Sequence, residues 1–268
     1  MEPALGVTLL WLLFGGAHVG LATRRIRAGL VARLGEGGFL ALFSLVAASA
    51  FALLVRYYAA HRFEGAPGFA LGEAAAPRSV LVATIMVGIV LSAGSLAAYP
   101  RSPMALFAES APSPRGIERI TRHSFFSGVA LWALAHALLA TRLVGTAIFG
   151  ELALLTLIGA WHQDRKLLRR RGQPYADYLA VTSALPFAAV LAGRQRIVWR
   201  ELPWSAFATG FAVSFALRAV HGSILSHGGA WVTGSVVGGA AILSFESWRR
   251  ARLVVRAPKA SSKSLSLG

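Results

Sequence analysis

The 268-residue chain contains no cysteine, which excludes a disulfide framework, thiolate metal sites, iron–sulfur clusters and cysteine nucleophiles. Any redox chemistry must therefore come from a bound cofactor. Charge is also scarce, at 14% of residues, and negative charge is scarcer still, with 11 acidic residues against 27 Lys and Arg. The resulting formal charge of +16 could suggest nucleic acid, but that reading needs basic residues on a folded polar domain. Here they punctuate apolar runs, so no nucleic-acid partner is expected. There is no P-loop, no GxGxxG, no GxSxG and no HExxH, which removes the commonest signatures of soluble enzymes. No internal repeat is visible either, which disfavours a transporter built from duplicated halves.

What the chain has instead is apolar surface. With 56% hydrophobic residues and a mean hydropathy of +0.60, it carries more than one soluble core can hide, and a lipid bilayer is the expected solvent. Seven runs approach the length needed to cross hydrocarbon as helices, near Ala4 to Leu21, Gly38 to Val55, Ser79 to Tyr99, Phe125 to Thr141, Val144 to Trp161, Trp204 to Ala219 and Ile224 to Phe245. The apolar stretch 180–192 is short and holds Pro186, and it is read as a re-entrant or interfacial helix.

Basic residues orient this layout, because Lys and Arg near span ends stay on the cytoplasmic side. Segments 22–37, 100–124 and 162–203 and the tail from Ser247 hold 4, 4, 8 and 6 of them, 22 of the 27. Only Arg56, Arg62, Arg78, Arg142 and Arg218 fall on the opposite side. The expected fold is therefore all-α, a polytopic integral membrane helical bundle of about seven transmembrane helices, N-terminus outside and C-terminus inside. The first span lacks a basic region before it and is followed by Arg24, Arg25 and Arg27, the flank of an anchor and not of a signal peptide. No plastid or mitochondrial transit peptide precedes it, so a bacterial inner membrane is the simplest location. Residues 257–268, rich in Ser and Lys, are expected to be a disordered basic tail. A homo-oligomer is compatible with such a bundle.

Ionisable residues within spans are functional candidates, although a His at a span end often only meets the headgroups. His61, His221 and His227 fall on the outer side, whereas His18, His123 and His162 lie near the cytoplasmic ends of spans one, four and five. Equal depth is what ligation of a planar cofactor by His18 and His123 from two helices would require, with His162 an alternative ligand. The other reading of each is a hydrogen-bonded imidazole that packs helices together. That reading is favoured for His136, which lies 13 residues beyond His123, about 20 Å along the helix. Gly16 and Gly20 flank His18 at GxxxG spacing, as do Gly234 and Gly238, and predict close helix contacts. Trp11, Trp132, Trp161, Trp204 and Trp231 read as core or interfacial anchors. Arg165, Lys166 and Arg169 to Arg171 read as a solvated face that attracts anionic lipid. Arg119 and Arg122, just before the fourth span, could reach a cofactor's carboxylates.

The run Gly116-Ile117-Glu118-Arg119-Ile120-Thr121-Arg122-His123, with Gly128 and Ala130 to His136 after it, resembles the NnrU domain family. Gly159-Ala160-Trp161, Asp164 to Leu168, Thr182 to Ala189 and Gly193-Arg194-Gln195 are similar to the 15-cis-ζ-carotene isomerase branch of that family, as is Gly16 to Ala22 in the first span. The resemblance covers about residues 5 to 197. It divides the chain into an NnrU-like membrane domain, 1–197, a C-terminal pair of helices, 198–256, and the tail. It implies a membrane haem b (Fe) protein acting on an apolar polyene, with His18 and His123 as axial iron ligands. Ser124 stands where the family usually has Pro; both suit a helix start. A wider resemblance to isoprenylcysteine-type methyltransferases rests on Arg122, His123, Gly172, Tyr175, Tyr178 and Pro186, with Gln163 and Asp164 in place of the usual acidic pair.

Three functions follow from these resemblances. The first is a haem-dependent isomerase of a cis double bond in a carotenoid. The second is a non-catalytic haem-binding accessory or sensor of nitric oxide and denitrification metabolism. The third is an S-adenosylmethionine-dependent membrane methyltransferase.

Overall fold

A computed structural model describes residues 2–105 and 113–256; the expected tail lies outside them. Among the described residues the architecture is all-helical: α1 (Pro3–Ala22), α2 (Arg24–His61), α3 (Ala75–Ala98), α4 (Ser124–Leu139), α5 (Leu143–Arg171), α6 (Gln173–Val181), α7 (Ala188–Leu191), α8 (Trp204–Ala219) and α9 (Ala230–Arg256). Five segments, in α1, α2, α3, α5 and about α9, are long and apolar enough to cross a membrane. Two of the seven expected spans, α4 and α8, have 16 residues each, short of the roughly 20 that hydrocarbon requires.

Connections gather at two ends. At one, the α2–α3 and α4–α5 connections pair through Gly68 N to Thr141 O (3.0 Å), Ala70 N to Ala140 O (2.9 Å) and Leu143 N to Ala66 O (2.8 Å). The Glu2 carboxylate accepts the Ala66 N–H there at 3.1 Å, which fixes the start of α1 beside the start of α5. At the other end, the segment before α4 meets the segments after α6 and before α8. There α2 breaks at Gly35, whose φ of 70° a side chain would oppose. Arg27, before the break, donates to both oxygens of Glu36 at 2.9 and 2.8 Å and lies over the Phe39 ring.

Helix contacts form where glycines remove side chains, but not at the expected pairs. A Cβ at Gly88 on α3 would lie 2.5 Å from the Gly128 carbonyl on α4, and the converse is equally close. Gly210 on α8 meets the α3 backbone at Val90 in the same way. By contrast, Cβ atoms at Gly16, Gly20, Gly234 and Gly238 would meet nothing within 4 Å among the described residues, which corrects the GxxxG expectation. The motif permits close approach, and packing partners decide whether approach happens.

A single helix over 180–192 is not formed. Helix α6 stops at Val181, an irregular turn follows, and α7 occupies one turn. Pro186 lacks an N–H and disfavours helical geometry at the residue before it, and Phe187 adopts a left-handed φ of 64°. The turn folds back under α4: Arg122 N donates to Ser183 O (3.0 Å) and Phe187 N to Ile120 O (2.8 Å).

Candidate functional site

That fold-back builds the most heavily bonded polar cluster around the start of α4. His123 caps the helix, its carbonyl accepting the Ser127 N–H at 2.8 Å, and the residue is 3% exposed. Thr121, fully buried, is anchored by its hydroxyl to the Ala184 carbonyl at 2.7 Å and accepts the His123 N–H at 3.3 Å. Beside them α5 runs ten residues past Trp161, beyond the end of its expected span, and presents Asp164 to the cluster.

Asp164 collects four bonds. Arg122 donates from Nε (3.0 Å) and Nη2 (2.7 Å) to Oδ2. The Tyr175 hydroxyl donates to Oδ1 at 2.7 Å, and Nε2 of His123 meets the same oxygen at 2.8 Å. Tyr175 is supplied by α6, which starts afresh after Gly172 with its φ of 60°. Burial, and then the Asp164 carboxylate it serves, push the Tyr175 phenol well above its ordinary range. Tyr178, one turn on, is pushed up by burial first and by the Glu118 carboxylate second. The other ring nitrogen of His123, Nδ1, is enclosed and has no hydrogen-bond partner among the described residues, and the same holds for Glu118 Oε1 and the Tyr178 hydroxyl oxygen.

The remaining expected residues are placed differently. Arg119 grips Glu201 through Nε (2.9 Å) and Nη2 (3.3 Å), and Gln195 through Nη1 (3.0 Å). With the Gly116 N–H also donating, this holds the Glu201 carboxyl below its usual range. Both arginines expected at a cofactor's carboxylates are thus bonded to carboxylates of the chain itself. His162 is exposed and sits two residues before Asp164, about 200° away around the helix, so it faces away from the cluster. His18 is exposed on α1 between the rings of Phe14 (5.2 Å) and Phe43 (4.7 Å).

The equal depth expected of His18 and His123 is not reproduced. Helices α1 and α5 start side by side, Glu2 accepting the Ala66 N–H and Ala66 O the Leu143 N–H, and run in the same direction; farther on they are joined by Thr8 Oγ1 to Glu151 (2.5 Å) and Trp11 Nε1 to the Ile148 carbonyl (3.2 Å). From the middle of those contacts, the helical rise carries Asp164 roughly 10 Å farther along the axis than His18. His136 bonds within its own helix, Nδ1 to the Trp132 carbonyl at 2.8 Å, where the packing alternative expects a bond to a neighbouring helix; only its ring reaches α5, packing on Phe149.

Asp164, Glu201 and Gln195 were not expected as partners. The signal for Asp164 was its place among the residues of the methyltransferase-like pattern, Arg122, His123, Tyr175 and Tyr178, of which the first three share this carboxylate. Nothing local marks Glu201, 82 residues from its arginine.

Comparison with known proteins agrees with the resemblance. The chain is 31% identical over 202 residues to a protein of Arabidopsis thaliana named 15-cis-zeta-carotene isomerase, chloroplastic, covering 72% of this chain and 52% of that one. It is 28% identical over 195 residues to the protein of the same name from Zea mays, covering 70% and 51%. The chain thus matches about half the length of these curated relatives. No solved structure matches. Residues 7–228 match the NnrU protein family, from α1 through α8, and the chain belongs to that family.

Proposed function

We propose that this chain is a membrane isomerase acting on a cis double bond of a carotenoid of the 15-cis-ζ-carotene type. The similarity to two proteins named for that activity, over about 200 residues, carries the reading. A long polyene partitions into hydrocarbon, so a membrane fold receives it without moving it through water. On the α1 surface, His18 stands between Phe14 and Phe43, and Cβ atoms at Gly15, Gly16 and Gly20 would meet nothing within 4 Å. This is an open apolar face with aromatic edges, suited to an extended flat molecule. The arrangement proposed is seven spans with the N-terminus outside, supported by the 22-to-5 division of basic residues.

Haem b is the cofactor that the family resemblance implies. A bound haem would supply an electron-accepting iron centre able to weaken a conjugated double bond. His18 is the expected ligand that the fold leaves accessible. His123, Arg119 and Arg122, bonded as described, do not fit the group, and no step is derived through it.

Expression in cells that accumulate ζ-carotene, kept dark and reducing, tests the function. Chromatography should show conversion of 9,15,9′-tri-cis-ζ-carotene to the 9,9′-di-cis form. If folded, haem-loaded protein leaves the tri-cis isomer untouched while a known isomerase converts it, an accessory role in nitric oxide metabolism replaces this reading. Alkaline phosphatase fused near Gly68 should be active and fused after Gly268 inactive; the reverse would overturn the orientation.

A further inference from the structure

We infer that His123 is a positioning residue and not an iron ligand: with Asp164, Arg122 and Tyr175 it forms a clamp that fixes the starts of α4 and α6 to the cytoplasmic extension of α5. The inference deepens the haem-isomerase reading and rests on it only where iron is concerned.

An iron ligand needs a ring nitrogen with a free lone pair and an open approach. Neither ring nitrogen of His123 meets both conditions: Nε2 carries the proton, and Nδ1, which keeps the lone pair, is enclosed. Its Nε2 lies 2.8 Å from Asp164 Oδ1, and every other contact of that carboxylate comes from a group able to donate: the Arg122 N–H groups can only donate, and the Tyr175 hydroxyl is placed to do so. An oxygen so supplied accepts from Nε2 as well, which places the ring proton there. The other nitrogen, Nδ1, is shut from solvent, and the residue is as deeply buried as Thr121 and Ser124 beside it in the chain, with Phe126 edge-on to its ring at 5.8 Å. A porphyrin could reach Nδ1 only if the surrounding structure opened. The clamp has an evident structural task, because Arg122 and His123 belong to the stem of α4, Asp164 to α5 and Tyr175 to α6. One carboxylate therefore fixes three helix ends, in place of the apolar contacts that a bundle lacks at a wet boundary.

The test uses the full chain purified in detergent with haem b supplied, comparing wild type, His123→Asn, Asp164→Asn and His18→Ala. Absorption and electron paramagnetic resonance report the iron's ligands, and thermal unfolding reports the clamp. His123→Asn should keep the wild-type Soret position, haem stoichiometry and resonance signature, with a lowered unfolding midpoint; His18→Ala should lose or shift the spectrum. A double-mutant cycle should show His123 and Asp164 strongly coupled in stability. Folded His123→Asn that loses its haem signal, with recovery on adding imidazole, would overturn the inference. Absence of coupling between His123 and Asp164 would overturn it equally, and that measurement stands even if wild type binds no haem, an outcome that defeats only the haem reading. If His123→Asn does not fold, ¹⁵N-histidine spectra of the wild type decide: the Nε2–H tautomer supports the clamp, and an Nδ1–H tautomer overturns it.

Discussion

His18 and His123 are one residue type in two opposite settings. Around His123, three side chains make four bonds to a single carboxylate, and the imidazole is shut from solvent. Around His18, the neighbours are aromatic rings, the flanking glycines face open space, and the imidazole is exposed. The same contrast runs through the helices that carry them. Helices α3 and α4 press together at Gly88 and Gly128, whereas much of α1 offers bare aliphatic surface, with Leu5, Leu9, Leu12 and Leu13 all more than half exposed. A closed polar knot holds a shape; an open apolar face can receive a molecule from the bilayer. The proposed reading therefore gives stability to the first region and binding to the second.

The sharpest way to break this division is Asp164→Ala. It would leave Arg122, only 14% exposed at its side chain, without its partner, and a cost of about 3–5 kcal/mol is expected, since removing one member of a buried pair strands the other. Thermal unfolding in detergent would show it, and a near-unchanged midpoint would mean that water solvates Arg122 after all. Next in size is the paired comparison of Gly128→Leu with Gly16→Leu. The first drives a side chain into the Gly88 carbonyl and should cost about 3 kcal/mol or more. The second meets open space and should stay within about 0.5 kcal/mol. Equal effects would erase the contrast between the two faces.

His18→Phe should change stability by no more than about 1 kcal/mol, because its ring contacts are with aromatics that a phenyl group can also satisfy. A large loss of stability would assign His18 a structural task. The smallest effect expected is a pH slope. Burial raises the Glu118 carboxyl above its usual range, so the folded chain holds that proton more tightly than the unfolded one. Stability from this group is then present in acid and declines as pH rises from the unfolded value through the raised folded one. Glu118→Gln should flatten the decline over that window, leaving the protein relatively more stable above it. An identical slope in wild type and variant would show that Glu118 titrates normally.

Periodicity and length made the helices legible because lipid-crossing segments must be long and apolar whatever their neighbours. The Ala4 to Leu21 run became α1 and the Ser79 to Tyr99 run became α3, each within a few residues. Pro186 likewise carried a local message, and the turn before α7 follows it. Side-chain partners were less legible. Arg119 and Arg122 looked available in sequence because an arginine's partner can come from any distance along the chain. Their carboxylates, Glu201 and Asp164, lie 82 and 42 residues away.

The amino-acid sequence by itself determined the all-helical character, the places where the chain turns and the division of basic residues, since each follows from the free energy of a short segment in water or lipid. It also carried the family motifs. Tertiary structure alone decided which glycines touch, how far apart in depth His18 and His123 lie, and that Asp164 takes up the bonds of Arg122, His123 and Tyr175. The physical reason is that such contacts depend on the register between helices. Register is set by the sum of many weak packing terms across the bundle, and no local stretch of residues encodes it.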